Sequence, residues 1–442
     1  MKFRIGVLFI VLMLGRGFSQ PAAVDSLQLP RALQLLEENN LDLARQQKMI
    51  QQALTEAEIQ NRNFLPLFSL SGSYRYVSEV PELQLPFSIP GQGPVQIEAG
   101  VPNQYEVNAA LQQPVFSGFR LSALRQSVKI SAESVRQQRR VVRAQLRLQT
   151  HELFYEIQLS RLQQRALESS INRMKTLLAV QRAFLEAQQA TPFDTLQTAN
   201  QMLGIRTRQV QSRHRQEILL SRLALILRLP EIASVSLKNV QSPDLLLQPL
   251  AEYQSLARNQ RPELAVIRRK MDVQQFQKKI AKSAFYPQVN AQAAYHYGRP
   301  GVNFFRDDWM AYYTVGLNLN WEVWNWGGTR KRLRQADYQM ESLHLEEQQL
   351  LYSIDQQVKQ AWETLLSSRE QIELSRRLAA QAAERYRLVE DQYREGILSA
   401  SDLSEAESDL TIAELQLQQH YIDWLKNKAG LQWATGEILA QD

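Results

Sequence analysis

Two long stretches of the chain, residues 119–191 and 329–395, contain neither glycine nor proline. Each has about 70 residues, and because an α-helix rises about 1.5 Å per residue, each can form one helix on the order of 100 Å long. Helices of globular proteins average only about 11–12 residues. Apolar residues recur three and four positions apart in both stretches, which predicts a packed seam on a mostly polar helix. The seam positions are Leu167, Ile171, Met174, Leu178, Leu350, Ile354, Val358, Ala361 and Leu365.

The same landmarks surround both stretches in the same order, which predicts an internal duplication. The matched residues are Pro66 with Pro287, Gly118 with Gly327, and Asp194 with Asp402. The glycine and the aspartate are about 76 residues apart in the first copy and about 75 in the second, and such a match over so long a distance indicates repetition. We therefore predict a first repeat at 20–235 and a second at 236–442. Each would hold a helix, two strands, a long helix and a return helix.

Four segments near the long stretches alternate between apolar and polar residues, a pattern typical of strands with one apolar face. They cover about 66–80, 104–116, 287–299 and 311–324, and the proline- and glycine-rich segment 81–102 between the first two is predicted to be a loop. Each strand is long enough to cross a bilayer when tilted. Aromatic residues gather at the strand ends, as in the aromatic girdles of outer-membrane barrels. Those predicted to lie at the lipid interface are Tyr74, Tyr76, Tyr295, Tyr297, Trp321 and Trp324.

Four strands are too few to close a membrane barrel, because the smallest common barrels have eight. The strands must therefore pair with those of other copies, and the chain is predicted to be an oligomer. The strand pattern by itself leaves the number of copies open. A soluble antiparallel sheet that covers a core would show the same alternation.

The N-terminus is typical of a secretory signal peptide. Lys2 and Arg4 precede an apolar run at residues 5–14, and small residues lie before a cleavage position at Gln20, which gives a signal peptide at 1–19. Cleavage would lower the formal net charge from +6 to about +3. The remaining lysines and arginines are mixed with acidic residues and glutamines along the helices, so no nucleic-acid partner is predicted. The absence of cysteine excludes disulfides, thiolate metal sites and a lipid-modified N-terminal cysteine.

The chain resembles the TolC-like outer-membrane efflux proteins over nearly all of its mature length. The motifs that carry the resemblance are Arg261-Pro262-Glu263-Leu264, Gln113-Pro114-Val115-Phe116-Ser117-Gly118, Asn325-Trp326-Gly327-Gly328-Thr329-Arg330, Thr191-Pro192-Phe193-Asp194 and Gly396-Ile397-Leu398-Ser399-Ala400-Ser401-Asp402. The resemblance implies a mainly α fold with a transmembrane β-barrel, in which a homotrimer forms a twelve-stranded barrel and an α-helical periplasmic tunnel. It also implies a location in the cell outer membrane, with lipid around the barrel. The expected partners are a periplasmic adaptor (membrane fusion) protein and an inner-membrane pump.

The same resemblance suggests which residues do the work. Asp402, Glu405 and Asp194 would form an acidic periplasmic gate, since a ring of carboxylates concentrates cations and repels anions. Asp402 and Asp194 have a second interpretation, because each lies at the start of a helix where an acid caps the first turn. The hairpin tips would contact the adaptor or the pump. The residues predicted to make this contact are Thr191, Pro192, Gly396, Ile397 and Leu398. Their second interpretation is that they only form tight turns.

No residue pattern points to catalysis, a metal or a cofactor. The five histidines are scattered, and no nucleophile–base arrangement, phosphate loop or dinucleotide motif occurs. The sequence therefore predicts a channel, the exit duct of a tripartite efflux or type I secretion system. A secreted or periplasmic coiled-coil scaffold or adhesin without a pore is the alternative. The exported substrate, the class of pump and the resting state of the gate are not predicted.

Overall fold

The computed structural model describes residues 26–88, 94–98, 100–188, 191–236 and 245–440. The predicted signal peptide at 1–19 lies outside these residues. The chain divides into two compact units. The first contains the described residues of 1–41, 143–257 and 357–442, and the second those of 42–142 and 258–356. Within the described parts, no helix is both long and apolar enough to cross a membrane.

Eight α-helices make up most of the described chain. They are α1 (Leu29–Asn39), α2 (Leu41–Arg62), α3 (Arg120–Glu186), α4 (Pro192–Leu227), α5 (Leu250–Gln260), α6 (Pro262–Lys282), α7 (Gly328–Arg394) and α8 (Ala400–Thr435). The long helices α3 and α7 have 67 residues each, and the return helices α4 and α8 have 36 each. Most of the predicted seam is buried, including Ile171, Met174, Ile354 and Leu365. The boundary between the two repeats stays a prediction.

The long helices start at two turns of the same construction. Gly118 and Phe119 have positive φ angles before α3, and Trp326 and Gly327 have them before α7. In each case the residue just before this pair caps the helix. Leu121 N–H donates to Ser117 Oγ at 3.3 Å, and Thr329 N–H donates to the Asn325 side-chain oxygen at 3.4 Å. The glycine therefore occupies the first left-handed position in one turn and the second in the other.

The strands lie in the second unit. A four-stranded antiparallel sheet has the order β1 (Leu67–Tyr76), β4 (Asn103–Phe116), β5 (Gln288–Arg299), β6 (Met310–Asn320). Between β1 and β4, β2 (Glu82–Ser88) and β3 (Pro94–Glu98) form a separate two-stranded sheet. Because β6 ends at Asn320, Trp321 and Trp324 lie in the connection to α7, beyond the strand.

The prediction of a loop across 81–102 was wrong, because part of it forms the β2–β3 hairpin. Leu83 pairs with Ile97 and Gln84 with Gln96, and the register shifts before Ser88. Apolar residues at positions 83 and 85 alternate with polar ones at 82 and 84, which is a strand pattern. The many prolines and glycines nearby hid this short alternation.

In the first unit, a buried histidine links stability to pH. The His151 side chain is almost fully buried, and within the described chain neither ring nitrogen has a hydrogen-bond partner. Burial, followed by the nearby positive charge of Arg147, lowers the pKa of His151 from 6.5 to about 4. The imidazole is therefore neutral at pH 7.

We expect replacement of His151 with Phe to flatten the dependence of stability on pH. The unfolded chain takes up a proton near pH 6.5 and the folded chain only near pH 4, so the residue costs no stability above pH 6.5. Between those values stability falls as pH decreases, by about 2 kcal/mol at pH 5. Thermal unfolding followed by circular dichroism at pH 7.5 and pH 5 measures the difference. His344→Phe, at an exposed position, should keep the wild-type slope. An unchanged slope in His151→Phe contradicts the prediction.

Candidate functional site: an exposed apolar sheet face and the paired hairpin tips

One face of the four-stranded sheet is apolar in register across all four strands. Leu70 pairs with Ala109, Ala109 with Tyr295, and Tyr295 with Tyr313. The neighbouring row aligns Phe68, Leu111, Ala293 and Val315 in the same way. This face is exposed in the single chain: the relative exposure is 71% for Leu70, 76% for Val315 and 74% for Leu317. Soluble monomers rarely expose a contiguous apolar surface of this kind, so an apolar partner must cover it.

The opposite face of the sheet is polar. Ser71, Asn108, His296 and Tyr312 form one row across the four strands. His296 Nδ1 lies 2.7 Å from a Glu106 carboxylate oxygen, and the imidazole stacks on the Tyr312 ring with centroids 4.6 Å apart. Polar groups on this side thus hydrogen-bond across strands. One apolar and one polar face is the arrangement of a strand between lipid and water.

Four of the predicted interface aromatics lie in the sheet and two beyond it. Tyr74 packs against Tyr105 and Tyr297 stacks on Trp309, with centroid distances of 5.1 and 5.0 Å. Trp309 also contacts Tyr105, so these four rings form one cluster at the strand ends. Tyr76 and Tyr295 are exposed nearby on the strands. Trp321, after β6, donates its indole N–H to the Phe285 carbonyl, and Trp324 is exposed.

In the first unit, the long helices α3 and α7 and the return helices α4 and α8 all contribute to one core cluster. This cluster lies close to the two hairpin tips, where α3 turns into α4 and α7 turns into α8. Its buried members are Met174 and Leu177 of α3, Tyr393 of α7 and Leu403 of α8. Met202 and Ile205 of α4 pack against them. The two hairpin tips, which are distant in sequence, are therefore held together by a shared apolar core. Burial, followed by the negative charge of Asp194, raises the pKa of Tyr393.

The two tips use matching turns although their sequences differ. Gly396 follows α7 with a φ of +74°, and Gln188 follows α3 with a φ of +60°. Glutamine therefore takes a left-handed conformation for which glycine is the usual residue. Of the predicted contact residues, Thr191, Pro192, Gly396 and Ile397 are exposed and Leu398 is partly buried.

Both tip aspartates cap the return helices. The Asp402 carboxylate accepts hydrogen bonds from the Ser399 N–H at 2.9 Å and hydroxyl at 2.6 Å, and Asp402 N–H donates back to Ser399 Oγ at 3.3 Å. These bonds to Ser399 lower the pKa of Asp402, so its charge persists at neutral pH. Asp194 accepts from the Thr191 N–H and hydroxyl in the same manner. The capping interpretation is confirmed for both; the gate role stays a prediction.

Glu405 lies one turn further along α8 and is paired within the chain. Its carboxylate is 3.2 Å from the Arg385 guanidinium of α7, and Arg385 also binds Asp409. All three side chains are about half exposed or more. Arg385 was not predicted from the sequence, because nothing in the local pattern of a long polar helix indicates which arginine faces the return helix α8.

A second charged group joins α3 to α8 and was also not predicted from the sequence. Arg173 of α3 binds Glu407 and Glu414 of α8, at 3.1 and 3.3 Å, and donates to the Thr411 hydroxyl. The Glu407 side chain is only 3% exposed. The sequence around Glu407 does not distinguish this buried carboxylate from the many solvent-exposed glutamates of the helices. Among the described residues, no group of three His, Asp or Glu side chains could hold a metal ion.

Comparison with known proteins agrees with this geometry. The sequence model of a family described as "Outer membrane efflux protein" matches residues 32–227 and 254–437. The alkaline protease secretion protein AprF of Pseudomonas aeruginosa is 26% identical over 357 residues, which cover 76% of this chain and 70% of AprF.

Solved structures show a similar fold. CusC, solved in a study of folding and transmembrane channel formation, has a TM-score of 0.77 at 14% identity and covers 95% of this chain and 95% of its own. The outer membrane channel CmeC of Campylobacter jejuni has a TM-score of 0.72 at 14% identity, over 99% of this chain and 93% of CmeC.

Proposed function

This chain belongs to the outer membrane efflux protein family, and we propose that it is the passive exit duct of a tripartite efflux or type I secretion system. The exposed apolar face that runs in register across β1, β4, β5 and β6 carries this proposal. Such a face needs lipid on one side, and the polar face behind it suits a water-filled lumen. The energy for export would come from the partner pump.

The sheet supports a barrel shared between copies. Within the described chain, β1 and β6 are its edge strands, and unpaired edges invite pairing with another chain. Pairing β6 of one copy with β1 of the next preserves the antiparallel order. Three copies would then close twelve strands, wide enough for a lumen. The homotrimer, the lipid contact of the aromatics and the periplasmic helical tunnel are parts of this proposal.

The partners are proposed from the family and from the exposed tips. AprF is named for secretion of a protease, and the family for efflux, so both a secreted protein and a small molecule are candidate cargoes. The tip surface exposes Phe193, Leu196 and Ile397, each more than 60% accessible, beside Thr191, Pro192 and Gly396. Such apolar side chains suit a periplasmic adaptor. The family is one of transport proteins, and we propose no enzymatic activity.

Planar bilayer recording tests the duct. Purified protein should give discrete openings, and the reversal potential across a salt gradient should show cation preference. Migration on gels with and without heating distinguishes the duct from the alternative, a coiled-coil scaffold or adhesin without a pore. A closed barrel changes its mobility on heating, whereas a coiled-coil scaffold does not. A protein with neither openings nor heat-dependent mobility would overturn the proposal.

We expect Asp402→Asn combined with Glu405→Gln to raise conductance and weaken cation selectivity. Three copies would lose six carboxylates from the narrow mouth, and the capping bonds of Asp402 would weaken by about 1 kcal/mol per tip. The effect should be a change of several-fold in conductance. Glu384→Gln with Glu390→Gln, on exposed or half-exposed sites of α7, is the matched control. Identical recordings from the two double variants would reject the gate assignment.

A further inference from the structure

The second unit contains an open cavity where strands meet helices. It has a volume of about 420 Å³ and is lined by the turn before α3, the first turns of α3, and the end of α6. Its walls combine rings with cations: Phe119, Phe276 and Tyr286, and Arg125, Lys279 and Lys282.

The rings form a fixed apolar wall. Phe119 packs edge-to-face on Tyr286 with centroids 5.6 Å apart, and on Phe116 at 5.4 Å. The wall is anchored because the backbone at Gly118 approaches Ser283 and Tyr286 closely. Phe119 nevertheless remains 62% exposed, which is a large apolar surface beside open space.

The three cations have no acidic partner among the described residues. Arg125, Lys279 and Lys282 occur in no ion pair there, whereas Lys278, the neighbour of Lys279 on α6, binds Asp337. Lys279 instead holds its ammonium group 4.5 Å from the centre of the Phe276 ring. Elsewhere on α6, Arg268 pairs with Glu347 and Lys270 with Glu346 of α7. The cavity thus concentrates positive charge.

We propose that this cavity binds the phosphate of an anionic phospholipid, with an acyl chain lying along Phe119 and Tyr286. The inference rests on the proposed placement of the sheet in a membrane. Phe119 follows the end of β4 and Tyr286 precedes the start of β5, so the cavity lies at one end of the sheet, which the proposed membrane placement puts at headgroup depth. Mixed aromatic and basic residues are typical of that depth, and basic pockets beside membrane-spanning segments bind anionic headgroups.

Lipid titration of the detergent-solubilised oligomer by native mass spectrometry tests the site. We expect Arg125→Gln/Lys279→Gln/Lys282→Gln to weaken binding of phosphatidylglycerol at least about tenfold, because each basic residue adds to headgroup attraction. The control Lys129→Gln/Lys331→Gln/Arg334→Gln removes the same charge from exposed positions outside the cavity. It should change the affinity for phosphatidylglycerol less than about twofold. Equal affinities in the two triple variants would overturn the proposal.

Two further arms separate a lipid from other occupants. Phe119→Leu should weaken phosphatidylglycerol but not soluble glycerol phosphate, and inorganic phosphate at millimolar concentration should not displace the lipid. Displacement by phosphate would mean a free-anion site and would overturn the lipid assignment. These measurements need no conductance, so a protein that conducts but binds lipid equally in all variants loses only this inference.

Accessibility in the assembled protein is tested with a single thiol. The chain has no cysteine, so Gln126→Cys provides the only one, on the lining of the cavity. A water-soluble maleimide should label it in the oligomer, and phosphatidylglycerol should slow labelling at least about fivefold. Labelling that occurs only after the oligomer is dissociated would mean that a second copy covers the cavity, and would overturn the proposal.

Discussion

Replacement of Arg173 with Met is expected to destabilise the helical core of the first unit by about 3–5 kcal/mol, because it leaves a buried carboxylate without its cation. Glu407 is 3% exposed and would keep only the Thr411 hydroxyl, 2.7 Å away. The Arg173 guanidinium also lies 5.9 Å from the centre of the Tyr386 ring, so its removal loosens the junction of α3, α7 and α8. The midpoint of guanidinium unfolding at pH 7, followed by circular dichroism, measures the loss.

Two controls measure how much of the loss comes from the unpaired Glu407 carboxylate. Arg268→Met breaks an ion pair whose arginine is 57% exposed, and should cost less than about 1 kcal/mol. Arg173→Met combined with Glu407→Met removes both charges and should recover most of the stability. If the double variant is no more stable than Arg173→Met, the lost stability comes from packing, not from the unpaired carboxylate.

Replacement of Gly118 with Ala is expected to cost about 2–4 kcal/mol and to lower the yield of assembled protein. Gly118 has a φ of +60°, and an added Cβ would lie 2.7 Å from the Ser283 carbonyl oxygen and 2.9 Å from Tyr286 Cβ. The backbone at Ser283 cannot yield as a flexible side chain would, so strain adds to the unfavourable dihedral. Thermal midpoints and the fraction of oligomer recovered after purification measure the effect.

Gly327→Ala is the matched variant at the equivalent turn. Its φ is +77°, but no heavy atom lies within 4 Å of the added Cβ. Only the dihedral cost of about 1 kcal/mol should therefore appear. Equal losses in the two variants would show that the close approach of Gly118 to Ser283 is not maintained in solution.

The two glycines show how far the pattern of residues could go. The long runs free of glycine and proline begin just after them, which predicted where the two long helices start, and both helices begin there. The spacing of apolar positions predicted which side of each helix is buried, since burial follows the period of 3.6 residues. Alternation predicted the four strands of the sheet but not β2 and β3, whose short pattern is interrupted by prolines. The resemblance, carried by motifs at both turns, identified the family.

Which charged side chains pair depends on their distance in space, and the order of residues along the chain does not give that distance. Asp402 and Asp194 are local capping residues, and a local motif predicted them. Arg385 of α7 pairs with Glu405 and Asp409 of α8, and Arg173 pairs with Glu407, which is 234 positions away in the sequence. The sequence by itself determined the helices, the strands and the caps, because these depend on residues within about one turn of each other. Only the tertiary structure decided which charges meet and which cations stay unpaired beside Phe119, because burial and pairing depend on how distant segments pack.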